Sequence, residues 1–445
     1  MRWIILGLWT WTGCGPEAQD ASTAWRPTEE TELLRTDAQV APYGYSAAGM
    51  LVVFFGGLDN RLWALDLRDG TVWDIDDDVD RNTIRLAPDG SRLAYHTMTP
   101  PSTRGWLRGA GAPVQLLDDA DRLAVTSERI GASSRTLGEA VLWDGESLQT
   151  LPGATIMEQP FSPDNLVVAG PEGALDAFGP DAARAEGTPH GVHEAHRVAG
   201  QWLIIDPFGS AWAGPTGTEQ ELPLTVRDVI HIDENYALLR DENREAWALG
   251  RSGELHHCAG PTVFRDEVAP AHGGYYLNDD RTVIWWQPGE ECQLQYSGVS
   301  ISRVVPDAEG AMVVDQVQGH AYAPLGGSPP TTFEDTARAF LAPDGDWVLR
   351  RGASAWPGEV FRWNPVEGAR TIIASGELHG QAIASQSLDG TTVVSDLDAT
   401  PQLLVDGEVS FAVVIDELLL TSVNDEDGTY RVLGSPWHRD SRVTD

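Results

Sequence analysis

Apolar residues in this chain come in short runs of alternating or continuous hydrophobicity, broken every few residues by Gly, Asp, Asn or Pro. That spacing predicts many short β-strands and no long amphipathic helix. Around Trp63 the text Arg61-Leu-Trp-Ala-Leu-Asp-Leu-Arg-Asp-Gly-Thr-Val-Trp-Asp-Ile75 gives two such runs about a turn at Asp69-Gly70, a hairpin signature. Related text recurs at Val141-Leu-Trp-Asp-Gly145, Glu245-Ala-Trp-Ala-Leu249, Val283-Ile-Trp-Trp286 and Val360-Phe-Arg-Trp-Asn364. An aromatic residue ends each run, in the series Trp63, Trp106, Trp143, Phe178, Trp212, Trp247, Trp285–Trp286, Tyr322 and Trp363. The steps of roughly 34 to 43 residues are those of propellers and solenoids.

A second motif precedes some of these runs. It reads Leu86-Ala-Pro-Asp-Gly-Ser-Arg-Leu-Ala-Tyr95, Phe161-Ser-Pro-Asp-Asn-Leu-Val-Val168 and Leu341-Ala-Pro-Asp-Gly-Asp-Trp-Val-Leu349. Weaker forms are Val305-Pro-Asp-Ala-Glu-Gly-Ala-Met-Val-Val314 and Ser387-Leu-Asp-Gly-Thr-Thr-Val-Val394. Pro presets the first turn position, and Gly or Asn accepts the positive φ that follows. The unit predicted is a first strand, this turn, an apolar second strand, an aromatic third strand, a Gly turn and a fourth strand. It resembles the blade of TolB-type and related WD-like β-propellers over residues 40–440, although the repeats near 120–135, 192–212 and 226–247 lack the Pro-Asp-Gly turn. The resemblance implies an all-β fold of about ten to eleven four-stranded blades.

Single rings usually hold four to eight blades. Two adjoining rings meeting near 210–265 are therefore expected, with one large ring as the alternative. Thr429-Tyr-Arg-Val-Leu433 lacks an outer partner strand, and Thr31-Glu-Leu-Leu-Arg35 precedes the first repeat, so pairing of the two is expected to close the ring.

Charge narrows the list of partners. The 445 residues carry 67 Asp+Glu against 30 Lys+Arg, a formal net charge of -37, and every basic residue is Arg. A field of that sign excludes nucleic acid and disfavours anionic membrane surfaces. The acidic residues are spread through all repeats, as on a solvated surface.

The N-terminus reads as an address. Arg2 precedes about ten apolar or neutral residues, too few to span a bilayer, and the run ends on Thr12-Gly13-Cys14. This resembles a bacterial lipoprotein signal. The resemblance implies a signal peptide over 1–13, lipid on Cys14 as the first mature residue, and a flexible acidic tether over 14–35 before repeats spanning 36–445. Gly15, rather than Asp, after Cys14 implies outer-membrane sorting by enterobacterial rules. The expected location is the cell envelope, in a periplasmic or surface-exposed leaflet. With Cys14 lipidated, Cys258 and Cys292 remain as an even pair in an oxidising compartment, and a disulfide is expected.

Candidate chemistry is sparse. Asp74, Asp76 and Asp78 alternate as in calcium loops, but Val79 and Arg85 stand where an EF-hand needs Gly and Glu, leaving an irregular calcium site or a solvated turn. His190, His193 and His196 recur every third residue, a candidate zinc or copper set if the segment is a loop. Neither a nucleophile elbow, a P-loop nor a dinucleotide fingerprint is present in the sequence. No cofactor is expected. The function these features point to is a non-enzymatic binding scaffold for an envelope protein, peptide or glycan. The alternatives are an enzyme with a central-channel site (a lyase, glycosidase or quinoprotein) and a structural lipoprotein of envelope assembly.

Overall fold

The computed structural model describes residues 25, 27–157, 165–171, 173–179, 182–185, 191–198, 201–215, 217–258, 268–278, 281–326, 328–352, 358–387, 390–415, 417–425 and 427–437. These residues form 43 strands and no helix. Each sheet is an antiparallel meander in chain order, nine of them four-stranded and one seven-stranded. The seven-stranded sheet is two blades sharing one strand, Gln220–Ile232. Its residues 220–225 pair backwards with Ser210–Pro215, and its residues 226–232 pair forwards with Tyr236–Asp241. The count is then eleven blades, spanning residues 40–76, 79–117, 122–152, 155–185, 194–225, 226–258, 268–297, 301–333, 336–375, 377–406 and 408–436. The eleventh takes its fourth strand from the N-terminus.

That fourth strand is Thr31–Thr36, antiparallel to Tyr430–Pro436, with Glu32 opposite Leu433 and Arg35 opposite Arg431. The expected closure is what forms, and it covers an edge that would otherwise expose unpaired N–H and C=O groups. Thr31 to Arg35, grouped with the tether by sequence, therefore belong to the last sheet. Eleven clusters of buried apolar side chains fill the eleven gaps between consecutive blades. The closing cluster joins Leu418, Leu420 and Val432 of blade 11 to Val52, Phe54 and Trp63 of blade 1. Every substantial contact between different sheets links neighbours in this order. The fold is an all-β propeller, one ring of eleven blades. A division near 210–265 is not what the contacts describe, because Gln220–Ile232 runs unbroken through that region and Leu203, Ile205, Val226 and Leu239 pack across it.

All nine aromatic positions of the periodic series fall on third strands. Most face the neighbouring sheet, where aromatic bulk fills the gap. Trp106 packs into the blade 1–2 cluster and Trp143 into the blade 2–3 cluster. Gly105 makes room for Trp143, since a Cβ there would stand 2.7 Å from the indole. Trp212 and Trp247 are only half-buried. The Pro-Asp-Gly turn joins first to second strands in blades 2 and 9, and the Val305 form does so in blade 8. The Ser387 form differs. It joins the second strand Ala382–Gln386 to the third strand Thr391–Ser395, because Asp-Gly suits any tight antiparallel turn and does not encode which turn it is.

Candidate binding face

In a meander the turns alternate between two faces. First-to-second and third-to-fourth turns lie on one face; second-to-third turns and the links between blades lie on the other. Backbone hydrogen bonds tie the second face together. Val79 N donates to Asn60 O (3.1 Å), Gly153 N to Gly138 O (2.7 Å), Val226 N to Gly209 O (2.7 Å), Gly298 N to Arg281 O (2.7 Å) and Gly352 N to Asp335 O (2.9 Å). In four of these an inter-blade link or its edge is bonded to a neighbouring second-to-third turn or the reverse, and Val226 is bonded from within the strand shared by blades 5 and 6. Because the bonds are main-chain to main-chain, the platform exists whatever side chains decorate it.

Much of the acidity maintains turns rather than forming a site. Asp206 Oδ1 accepts from Phe208 N (2.8 Å) and Ser210 N (2.9 Å); Asp396 Oδ1 accepts from Asp398 N (2.9 Å) and Thr400 N (2.8 Å). Short carboxylates capping nearby N–H groups is the reason Asp is favoured in turns. Other carboxylates join blades: Asp66 of blade 1 accepts from Arg108 Nε of blade 2 (2.7 Å).

The opposite face receives the N-terminal segment. Trp25 N donates to Leu67 O (2.6 Å) at the third-to-fourth turn of blade 1. The Trp25 ring lies against Gly70 and Gly434. Gly70 has φ of +76°, and a Cβ there would stand 2.7 Å from the indole, so both conformation and contact exclude a side chain.

The sequence candidates are placed as follows. Asp74 is exposed and paired with Arg61 (2.9 Å). Asp76 is partly buried, bonded by Arg104 Nη1 (2.8 Å) and by the Tyr95 hydroxyl (2.6 Å). Burial and that carboxylate push the Tyr95 hydroxyl well above its ordinary value. Asp78 occupies the blade 1–2 link with φ of +55°. These carboxylates take separate partners. His190 lies outside the described residues; His193 is exposed, and buried His196 meets Glu194 Oε1 at 2.6 Å on the first strand of blade 5. Among the described residues no group of three His, Cys, Asp or Glu side chains is placed to hold a metal ion. Cys14 lies outside the described residues. Cys258, on the fourth strand of blade 6, and Cys292, before the fourth strand of blade 7, form a disulfide with Cα atoms 5.7 Å apart.

Two features escaped the sequence reading. One is a cleft of about 430 Å³ beside the shared strand of blades 5 and 6, lined by Glu221, Pro223, Asp241 and Trp247. The other is the hydrogen-bonded turn face itself. The cleft joins residues from two repeats; the periodic aromatics and the Pro-Asp-Gly turns signalled the blades but neither feature.

No family model matches this sequence, and no curated protein matches it. Several solved structures are weakly similar to it. BamB from Moraxella catarrhalis is 13% identical with a TM-score of 0.28, over 70% of this chain and 95% of that one. PorZ, an essential bacterial surface component of the type-IX secretion system of Porphyromonas gingivalis, is 12% identical with a TM-score of 0.27, over 89% and 72%. The computationally designed Ika8 protein is 14% identical with a TM-score of 0.32, over 92% and 99%. The fold assignment rests on the strand order and inter-blade packing described above.

Proposed function

We propose that this chain is a non-enzymatic binding scaffold of the cell envelope, held to a membrane by lipid on Cys14. Its partner, a protein, peptide or glycan, is received on the face of second-to-third turns and inter-blade links. The observation that carries this reading is the placement of Trp25. Trp25 is held on the opposite face, which supports an orientation in which lipid on Cys14 would leave the platform of turns and links facing away from the membrane and open to a partner. Binding where loops from many repeats converge is the ordinary use of such a scaffold.

The test compares the lipidated protein with a soluble Cys14→Ser form. The parent is expected to fractionate with membranes and to accumulate unprocessed under an inhibitor of lipoprotein signal peptidase. The variant is expected to be soluble, and crosslinking in intact cells from a turn-face position is expected to yield a defined adduct only with the anchored parent. Unchanged processing under the inhibitor would overturn the anchor. Crosslinks only from Val366, on the opposite face, would overturn the orientation.

A further inference from the structure

Large apolar side chains exposed on turns or turn edges are distributed unequally between the two faces. Leu58, Met98, Leu137, Phe208, Val299 and Val317, 43% to 74% exposed, all stand on the second-to-third and link face. On the opposite face, Val366 stands on a turn, and Val114 and Leu148 each open a fourth strand at a turn edge. Single exposed apolar residues need no explanation, but their excess on one face does.

Three of them fall on consecutive blades: Leu58 on blade 1, Met98 on blade 2 and Leu137 on blade 3. The first two are held in fixed relation through one link. Asp78 N donates to Asp59 O (2.7 Å), and Asp78 O accepts from Met98 N (2.8 Å). Carboxylates outnumber guanidinium groups around these apolar points. Asp59, Asp77, Asp118 and Asp119 are exposed in the same turns and links, and the guanidinium groups of Arg61 and Arg135 beside them lie 2.9 Å from Asp74 and 3.4 Å from Asp121. Apolar points among fixed carboxylates complement a chain that alternates apolar and cationic side chains. An anionic lipid surface or a second copy of this acidic chain would bring like charge.

We infer that the turn face of blades 1–3 is a docking surface for a protein segment alternating apolar and cationic side chains. The inference rests on the reading of the chain as a binding scaffold and adds to it the face and the chemistry of the partner.

The probe is a short fluorescent peptide of alternating Leu and Lys, compared with a Ser–Lys peptide of equal charge, on the soluble Cys14→Ser protein. The parent is expected to prefer the Leu–Lys peptide by about tenfold or more, the loss expected when central apolar contacts are removed. L58S/M98S/L137S is expected to abolish that preference with an unchanged circular dichroism spectrum and melting temperature, whereas V366S keeps it. D77N/D118N/D119N is expected to weaken both peptides and flatten the salt dependence. No preference in the parent, or a preference that survives the triple Ser variant, would overturn the inference. Phosphatidylglycerol vesicles bound by the parent and released by the triple Ser variant would replace the segment with a lipid surface. A dimer in sedimentation lost in that variant would replace it with a second copy. Since the assay needs no anchor, failed membrane fractionation beside intact peptide preference sinks only the anchoring reading.

Discussion

The indole Nε1 of Trp347, on the second strand of blade 9, donates a 2.6 Å hydrogen bond to Oδ2 of Asp307 in the first-to-second turn of blade 8. Asp307 Oδ1 meanwhile accepts from Glu309 N (2.8 Å), Gly310 N (2.8 Å) and the Tyr322 hydroxyl (2.9 Å). Two blades earlier the pattern repeats, with Asp233 capping its own turn and accepting from the Tyr275 hydroxyl of the next blade (2.7 Å). One carboxylate thus shapes a turn and fastens the adjoining sheet.

Removing one donor should therefore cost less than removing the shared acceptor. Trp347→Phe is expected to destabilise by about 1–3 kcal/mol, as Asp307 keeps its remaining partners. Asp307→Ala, which also uncaps the turn and leaves the Trp347 and Tyr322 donors unpaired, should cost more. Urea denaturation of both variants checks the order; equal losses would deny Asp307 its double role.

Acid sensitivity should appear well above the carboxylate range. Burial holds the His320 imidazole down to about 4, and burial with the nearby Arg338 and Arg350 guanidinium groups holds His379 down to about 3. Both values lie below the unfolded value of about 6.5, so between those limits the unfolded chain binds protons that the native one refuses. The stability is fully present above pH 6.5 and is lost as pH falls toward 4. His320 alone accounts for at most about 3 kcal/mol of it. Urea midpoints from pH 7 to 4.5 should fall steeply for the parent and less steeply for His320→Gln.

The Cys258–Cys292 bridge staples blade 6 to blade 7 across a sequence separation of 34 residues. For a loop of that size the chain-entropy estimate is about 3–4 kcal/mol. C258S/C292S should lose that amount in oxidising buffer, and reductant should bring the parent down to the variant. A parent indifferent to reductant would show that the bridge adds nothing to the fold.

Ring closure can be tested by truncation. Deleting 1–24 leaves the outer strand of blade 11 and should preserve the melting temperature. Deleting 1–36 removes Trp25 and the strand Thr31–Thr36, uncovering Val432, Leu433 and the edge of Tyr430–Pro436. That form should bind a hydrophobic dye and aggregate. If it stays monomeric and equally stable, the last sheet does not depend on its N-terminal strand.

The blade unit was legible because its signals are local. Trp106 and Trp143 announce third strands by following an apolar run, and Leu86-Ala-Pro-Asp-Gly90 announces a first-to-second turn by its own dihedral preferences. The Ser387 turn was assigned to the wrong connection, since Asp-Gly specifies tightness and not position. The partners of Asp307, 40 residues from Trp347, left no trace in the text. Nor did the gathering of Leu58, Met98 and Leu137 on one face.

By itself the sequence determined the repeat, the all-β class, the pairing of Thr31–Arg35 with the C-terminal strand and the acidic surface, all written in neighbouring residues or in period. Tertiary structure alone decided that eleven blades share one ring, because the number in a ring depends on how each sheet tilts against the next. It also decided which turns bond into a common face and which carboxylates fasten blades. Those outcomes depend on packing between residues a whole repeat apart, where no local propensity reaches.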